Sequence, residues 1–137
     1  MILKGVRDFF LRCDLFKGKS INVNFLAHNE GAVSIEPFGS LSVVKKYCDG
    51  KKVFSQDYYL SVRCGFDANI ELNLKDAAFL ESVCLWLDEQ NQAGNLPYLG
   101  DRFIADRIIV TKAPYLYESS VQGARMQIDF SLIYREV

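Results

Sequence analysis

The residues of this 137-residue chain that could carry catalysis are few and scattered. His28 is the single histidine; it lies beside a turn and has no visible partner. A nucleophilic cysteine needs a neighbouring base, and His28 is the only imidazole available to Cys13 or Cys48. Ser119-Ser120 lacks the G-x-S-x-G context of an exposed nucleophile. The sequence therefore favours a protein that is not an enzyme, and an enzyme with an unrecognised site is the third-ranked interpretation.

Metal and cofactor sites are not indicated either. The four cysteines, Cys13, Cys48, Cys64 and Cys84, show no C-x-x-C spacing, which structural zinc sites usually have. The chemistry of free cysteine favours buried, reduced thiols. Glycines that could cradle a phosphate stand alone and precede no helix. We therefore expect no catalytic residues, no bound metal and no cofactor.

Composition limits the partners. The chain has 16 basic and 17 acidic residues, a net charge of −1 and a pI near 5.8, whereas domains that bind duplex nucleic acid by neutralising phosphates are usually basic. No stretch approaches the roughly 18 apolar residues that a membrane helix needs, and Lys4, Arg7 and Asp8 interrupt the start of the chain where a signal peptide is apolar. We expect no specific nucleic-acid binding, no membrane and a protein that is cytosolic where it is made.

One amphipathic helix organises the chain. Residues from Leu74 onward place apolar side chains at helical spacing, a pattern that buries one face. The stripe comprises Ala77, Leu80, Cys84 and Leu87, widened by Phe79, Val83 and Trp86. Asn73 is the predicted N-cap, Gly94 the predicted left-handed end, and Pro97 follows soon after. A second helix is predicted over residues 2–13, with Ile2, Val6, Phe9, Phe10 and Cys13 on one face.

The remaining segments alternate as half-buried strands do. The predicted strands are Ser20–Leu26, Val33–Ile35 stopped by Pro37, Ser42–Cys48, Lys51–Cys64, Arg107–Tyr117 and Ala124–Arg135. Asp49-Gly50 indicates a two-residue hairpin turn in which both residues have φ > 0. Asn29-Glu30-Gly31 and Glu118–Gly123 are predicted turns, and Tyr98–Asp106 is a predicted connection. The order α-β-β-β-β-α-β-β, with tight connections, predicts a single α+β domain over residues 1–137. We expect an antiparallel, mostly meander sheet with both helices packed on one face.

Two groups of residues are candidates for protein contacts. Lys45, Lys46, Lys51 and Lys52 cluster around the predicted hairpin turn. They are either a solvated tip, where lysines discourage edge pairing, or a basic finger that touches an acidic neighbour or a DNA backbone. The aromatics Tyr98, Phe103, Tyr115 and Tyr117 lie in or near connections and either cover the edges of the sheet or contact another protein.

Two blocks of sequence resemble a phage structural family. One is Trp86-Leu87-Asp88-Glu89-Gln90-Asn91-Gln92-Ala93-Gly94-Asn95-Leu96-Pro97 with Leu99-Gly100, and the other is Ala124–Ile128 continuing through Leu132-Ile133-Tyr134. The opening MILKGVRDFFLRC and the hairpin Lys45–Gly50 match in style. Together they look like the minor capsid or tail-terminator-like proteins of siphophages and prophages of Gram-positive bacteria.

The resemblance implies a tail-terminator-like α+β fold and a hexameric ring at the head–tail junction of a virion, assembled in the bacterial cytoplasm. Such a ring stops tail-tube polymerisation and joins the tube protein to the head connector, with DNA passing through at most. A head-completion protein or a protein-binding adaptor domain is the alternative. A head-to-tail ring needs two different complementary patches on each subunit. The candidates are Tyr98, Arg102 and Phe103 for one patch and Lys45, Lys46, Lys51 and Lys52 for the other.

Overall fold

The computed structural model describes residues 2–17, 20–24, 32–64, 70–120 and 123–137. These residues form two helices and a five-stranded, mostly antiparallel sheet, which confirms the predicted α+β class. The elements are α1 (Ile2–Leu11), a short 3-10 helix (Asp14–Phe16), β1 (Ile21–Val23), β2 (Val33–Lys46), β3 (Lys52–Cys64), α2 (Ile70–Ala93), β4 (Phe103–Ser120) and β5 (Gly123–Glu136).

The sheet has the strand order β1-β2-β3-β5-β4, so β5 lies between the two strands that flank α2 in sequence. Strands β2 and β3 form one long hairpin, and β4 and β5 form another. The two hairpins join through an antiparallel register in which Leu60 lies opposite Ile128 and Tyr58 opposite Phe130. Strand β1 pairs with β2 only from Val33 to Ile35, so the remainder of β2 is an outer edge of the sheet.

Both helices pack on one face of this sheet, as predicted. The inward residues of β3 and β5 are buried under them, and Phe10 of α1 contacts Phe130 at 5.3 Å between ring centroids. Trp86 of α2 contacts Phe9 and Phe10. The buried core includes Val6, Phe9, Phe10, Phe16, Ile35, Leu60, Leu80, Val83, Leu87, Ile128, Phe130 and Leu132. Side-chain alternation along each strand therefore sets one face toward the helices and the other away from them.

The start of α2 differs from the prediction and its end agrees. The helix begins at Ile70, so Asn73 lies within it and is not its N-cap. At the other end Gly94 has φ +76°, its N–H donates to Asn91 C=O, and the Asn95 N–H donates to Gln90 C=O at 3.0 Å. This pair of bonds is the Schellman arrangement, which satisfies carbonyls that the last turn leaves open.

Strand β2 corrects a second expectation, because Pro37 does not stop it. The strand continues to Lys46 and merges two predicted strands into one. Pro37 is exposed and, among the residues that the structure describes, β2 has no neighbour there beyond β3, so its missing N–H deprives no described strand of a bond. The residues between the two predicted strands form a bulge in which Phe38 pairs with Asp57 and Ser42 with Ser55.

Three further expectations change. Strand β1 pairs with β2 in parallel and not antiparallel; the turn predicted at residues 29–31 lies outside the described residues. Strand β4 begins at Phe103, so the connection predicted over Tyr98–Asp106 ends earlier. Helix α1 ends at Leu11, and Cys13 precedes the 3-10 helix that buries Phe16. No helix in the described part of the chain has the length and apolarity required to cross a bilayer.

Candidate functional site

The outer part of β2 and the turn after it form a continuous exposed segment, residues 39–51, which we call the edge segment. Every one of these residues is exposed, although residues 39–46 belong to strand β2. It carries four large apolar side chains with 44–55% of their surface exposed: Leu41, Val43, Val44 and Tyr47. The register with β3 shifts between Val43 and Lys45, so Val44 is an extra residue at a second irregularity of the strand. The edge segment thus presents a run of exposed apolar side chains.

A bulge lies at the start of the edge segment, between Phe38 and Ser42. Gly39 has φ +68°, a conformation that favours glycine. The Gln56 amide donates to Phe38 C=O at 2.9 Å, so a side chain satisfies a carbonyl that the irregular pairing releases. Bulges of this kind increase the local twist of a strand and redirect the residues that follow. The bulge accordingly interrupts the regular ladder between β2 and β3, which resumes at Ser42 opposite Ser55.

The hairpin turn forms at the predicted place with a different geometry. Gly50 has φ +89°, but Asp49 is not among the described residues with positive φ, so only one of the two expected left-handed residues is present. The Gly50 N–H donates to Tyr47 C=O, the Tyr47 N–H donates to Lys51 C=O, and the Lys51 N–H donates to the Asp49 carboxylate at 3.0 Å. These bonds describe a longer turn closed by a glycine in the left-handed region.

The predicted lysines surround this turn. Lys45, Lys46 and Lys51 are exposed, and Lys52 is half-buried. The Lys45 ammonium lies 4.9 Å from the centroid of the Tyr47 ring, a cation–π contact that holds the tyrosine beside the basic group. Cys48 is exposed at the tip, against the expectation that the cysteines are buried. The edge segment therefore combines apolar surface with a cluster of positive charge.

The second predicted patch is partly surface and partly core. Tyr98 is 73% exposed, and its hydroxyl donates to Asp101 at 2.9 Å, which raises the pKa of the phenol. Arg102 is exposed. Phe103 is half-buried and packs on Phe54 and Tyr134 at 6.3 and 5.4 Å between ring centroids. The structure therefore offers Tyr98 and Arg102 to a partner and holds Phe103 within the protein.

A groove that the sequence did not indicate lies between α2 and β4, and we call it the flank groove. It has a volume of about 440 Å³ and is mostly apolar. Its walls are formed by Cys84, Leu87, Asp88, Asn91, Arg107, Ile108, Ile109 and Val110. Asp88 is exposed on the helical rim and Arg107 on the strand rim. Beside this rim, Glu81, Leu85 and Asp88 form an exposed stripe of α2, because residues three and four apart share one side of a helix.

Asn91 fixes the position of α2 over β4. Its Oδ1 accepts a hydrogen bond from the Ile108 N–H at 2.8 Å, and its Nδ2 donates to the Ile108 C=O. The side-chain amide thus occupies both backbone groups that Ile108 directs away from β5. An amide in this position takes the place that a neighbouring strand would fill, so β4 is blocked at Ile108 against strand addition.

The sheet face opposite the helices carries a buried polar cluster. Gln127 and Asp129 are buried, although alternation places them away from the helices. Arg125 covers them: its Nε donates to Ser61 and to Gln127 at 3.1 Å, and a terminal nitrogen lies 3.5 Å from Glu36. All buried side-chain nitrogen and oxygen atoms of the described residues have hydrogen-bond partners. The sequence indicated polar residues here but not that they would be covered.

Tyr115 completes this cluster from β4. Its hydroxyl donates to Asp129 Oδ1 at 2.7 Å and accepts from the Gln127 amide. Removal from water, followed by the bond to Asp129, raises the pKa of Tyr115 to about 12. A phenol with a raised pKa stays protonated at neutral pH and is a poor base. We therefore interpret this cluster as structural.

The thiols of Cys13 and Cys84, which could otherwise act as nucleophiles, are likewise held in unreactive states. Burial raises the pKa of the Cys13 thiol, and burial together with Glu81 raises the pKa of Cys84, so neither favours a thiolate. His28 lies outside the described residues. Within the part of the chain that the structure describes, no three histidine, cysteine, aspartate or glutamate side chains are grouped as metal ligands.

The comparisons with known proteins add no relative. No protein-family model matches this chain, and no curated protein sequence matches it significantly.

Proposed function

We propose that this chain is a non-enzymatic structural protein of a phage virion that forms a ring at the head–tail junction. In this role it terminates the tail tube and joins it to the head connector. The sequence blocks around Trp86–Pro97 and Ala124–Tyr134 support the family, and the α+β fold with both helices on one face agrees with the fold that the resemblance implies.

One observation carries the assembly part of this proposal: the edge segment leaves four large apolar side chains, Leu41, Val43, Val44 and Tyr47, exposed close together on an outer strand. Exposed apolar side chains that occur singly are ordinary, whereas a contiguous group is typical of a contact surface. An edge strand with such a group is also liable to aggregate. The lysines beside it repel like copies of the same segment and leave it free for a different, complementary surface.

Native mass spectrometry across a concentration series tests the proposal, with and without tail tubes assembled from the tube protein of the same phage. We expect a hexamer, either in free solution or only on tubes. The Lys46→Glu/Lys51→Glu double variant should fold normally, since both side chains are exposed, and should fail to form the ring. The Lys4→Glu/Lys17→Glu variant changes the net charge equally at exposed positions outside the edge segment and should assemble as the wild type does.

Two results would contradict the proposal. A wild-type protein that remains monomeric at all concentrations and ignores tubes is not a ring component of the tail, and an adaptor domain that binds another protein would then be the better interpretation. Assembly of both double variants at the wild-type concentration would show that the ring does not use the edge segment. Capture of the head connector without tubes would favour the head-completion alternative.

A further inference from the structure

We propose that the edge segment of one copy docks into the flank groove of a second copy, an inference that rests on the proposed ring. The contact pairs two different surfaces of the same chain and is therefore heterologous, the type that closes into rings. Val43 and Val44 provide the apolar surface that enters the groove, and Lys46 and Lys51 approach Asp88 on its helical rim rather than Arg107 on its strand rim.

Charge complementarity selects the second copy as the occupant. The edge segment and the two residues after it contain four lysines and one aspartate. Between Lys75 and Arg102 the chain has five acidic residues and neither lysine nor arginine. Of these, Glu81, Asp88 and Glu89 are exposed on α2, and Asp88 lines the flank groove. A molecule with a net charge of −1 thus separates its charge into a basic strand and an acidic helix, which favours contacts between unlike regions of two copies.

The apolar surfaces match as well. Among the apolar walls of the flank groove, Ile109 has 39% of its surface exposed and Val110 is half-buried. Leu85, on the exposed stripe of α2, has 66% of its surface in solvent, which is the highest exposure among the large aliphatic side chains described. Burial of these groups against the valines of the edge segment removes apolar area from water on both partners. Within one copy, the residues that the structure describes leave both surfaces open.

The topology places the two surfaces where a ring needs them. The edge segment belongs to β2, which beyond Ile35 is the outermost strand on one side of the sheet. The flank groove lies beside β4, the outermost strand on the other side. A copy can therefore give its edge segment to one neighbour and receive the edge segment of another at its opposite side. The two contacts do not compete for the same surface.

Direct strand addition between β2 and β4 is disfavoured by the structure. Asn91 already occupies the outward N–H and C=O of Ile108. Beyond that point β4 contains Pro114, which has no N–H, and its pairing with β5 shifts at Val110/Lys112 and Lys112/Tyr115. Irregular, proline-containing edges are typical of strands that do not accept a partner strand. The docking therefore uses side chains in a groove.

DNA is the other occupant that a basic segment could suit. The edge segment intersperses its lysines with exposed aliphatic side chains, and a surface that follows a phosphate backbone has little use for these. A gel-shift titration with a duplex of about three helical turns, roughly 30 bp, distinguishes the two occupants. We expect no shift for the wild type at concentrations that support assembly.

A charge-exchange experiment tests the docking under whichever condition the wild type assembles. One variant is Lys46→Glu/Lys51→Glu, whose edge segment and α2 are both acidic. The other is Asp88→Lys/Glu89→Lys, whose edge segment and C-terminal half of α2 are both basic. We expect each variant alone to lose about tenfold or more in apparent association, because like charges then meet in every contact. An equimolar mixture should assemble again, since each variant's edge segment then meets an oppositely charged helix on the other.

The two variants should fold as the wild type does, which circular dichroism and thermal melting check. All four side chains are exposed. Lysine near the C-terminal end of a helix is favourable to the helix dipole, so the Asp88→Lys/Glu89→Lys variant has no reason to lose stability. The mixed assembly must contain the two variants alternately, and native mass spectrometry distinguishes this from separate rings by mass.

The native Cys48 at the tip of the edge segment supplies a second measurement. A Glu89→Cys substitution places a thiol on the exposed surface of α2, at the residue next to Asp88 of the helical rim. Under mild oxidation we expect a disulfide between Cys48 of one copy and the introduced thiol at position 89 of the next, visible as a ladder of covalent oligomers in a non-reducing gel. The same protein with Cys48→Ser should give no ladder.

The outcomes separate the docking from the function it rests on. If the wild type never assembles, with or without tubes, the proposed function fails and the docking fails with it. If the wild type assembles but the mixture does not recover, or if Asp88→Lys/Glu89→Lys assembles normally, the docking is wrong and the ring remains. If the lysine reversal abolishes a duplex shift and leaves assembly unchanged, the edge segment binds DNA and the docking is likewise wrong.

Discussion

Replacement of Asn91 by alanine tests how the flank groove is held open. The Asn91 amide makes two hydrogen bonds to the backbone of Ile108, one through each of its polar atoms. Both bonds are partly buried and join helix α2 to strand β4. Alanine removes both bonds and leaves the outward N–H and C=O of Ile108 to whatever water enters the groove.

The expected loss follows from these two bonds. A typical intramolecular hydrogen bond contributes about 1 kcal/mol net, so two contribute about 2 kcal/mol. Alanine is a better helix former than asparagine by about 0.5 kcal/mol, which leaves a net loss of about 1.5 kcal/mol. An unfolding entropy of about 2.1 cal/mol/K per residue gives about 0.29 kcal/mol/K for 137 residues. The melting temperature should therefore fall by about 5 °C.

Thermal melting followed by circular dichroism measures this fall in purified protein at matched concentration. Gln92→Ala is the matched control, because Gln92 is the next residue, is exposed and donates a long 3.4 Å bond to Asp88. We expect the control to melt at or slightly above the wild-type temperature. An Asn91→Ala variant that melts within about 1 °C of this control would refute the reasoning, since the two bonds would then contribute nothing measurable.

Two further predictions follow from the geometry. Gly5→Ala in α1 should lower the melting temperature, because an added Cβ would lie well inside van der Waals distance of the backbone oxygen of Tyr98. Such overpacking costs about 1–3 kcal/mol, which exceeds the gain of about 1 kcal/mol in helix propensity. A higher melting temperature would contradict the close approach. Burial raises the pKa of Tyr58, and burial with Asp129 raises the pKa of Tyr115 to about 12. The stability that the neutral phenol of Tyr115 contributes is therefore complete below the ordinary tyrosine pKa of about 10 and is lost as the pH rises through about 12. Over this pH range the melting temperature should fall less steeply for Tyr115→Phe than for the wild type.

The elements that were predicted correctly are those whose pattern is local. The stripe on α2 appears in the structure with Leu80, Val83 and Leu87 buried, since a helical period in sequence is the same period in space. The last strand likewise buries Ile128 and Phe130, which alternation indicates. Gly94 ends its helix because a left-handed residue is required there, and this requirement is visible in one residue type.

The expectations that were wrong depend on pairing partners that the sequence does not display. A proline stops a strand when its N–H is needed by a neighbour, and Pro37 lies on an edge where no neighbour needs it. The parallel direction of β1 is set by the strand beside which it lies, and not by its own alternation. The early start of α2 at Ile70 shows that the polar Asn73 does not mark a boundary when helical residues precede it.

The candidate surfaces divide in the same way. The lysine cluster could be located from sequence because the hairpin places Lys46 and Lys51 close together through local turn chemistry. The flank groove could not be located, because its walls come from Leu87 and Ile108, 21 positions apart in the chain and joined only by tertiary packing. The burial of Gln127 was also inaccessible, since the cover comes from the long side chain of Arg125 and from Tyr115 across the sheet.

The polar cluster bears on where this protein can meet a partner. A sheet face without helices would ordinarily need a second layer if its residues were apolar. Here Arg125 and Tyr115 cover that face and make hydrogen bonds to its polar side chains. The stacked rings of Phe38 and Tyr59, with centroids 4.0 Å apart, cover another part of it. A partner that bound there would have to break those hydrogen bonds, and the free energy lost would not be offset by buried contact area alone. The helix face is likewise occupied by the core, whereas the edge segment carries four large apolar side chains exposed close together, so we expect a partner at the side of the sheet rather than on either face.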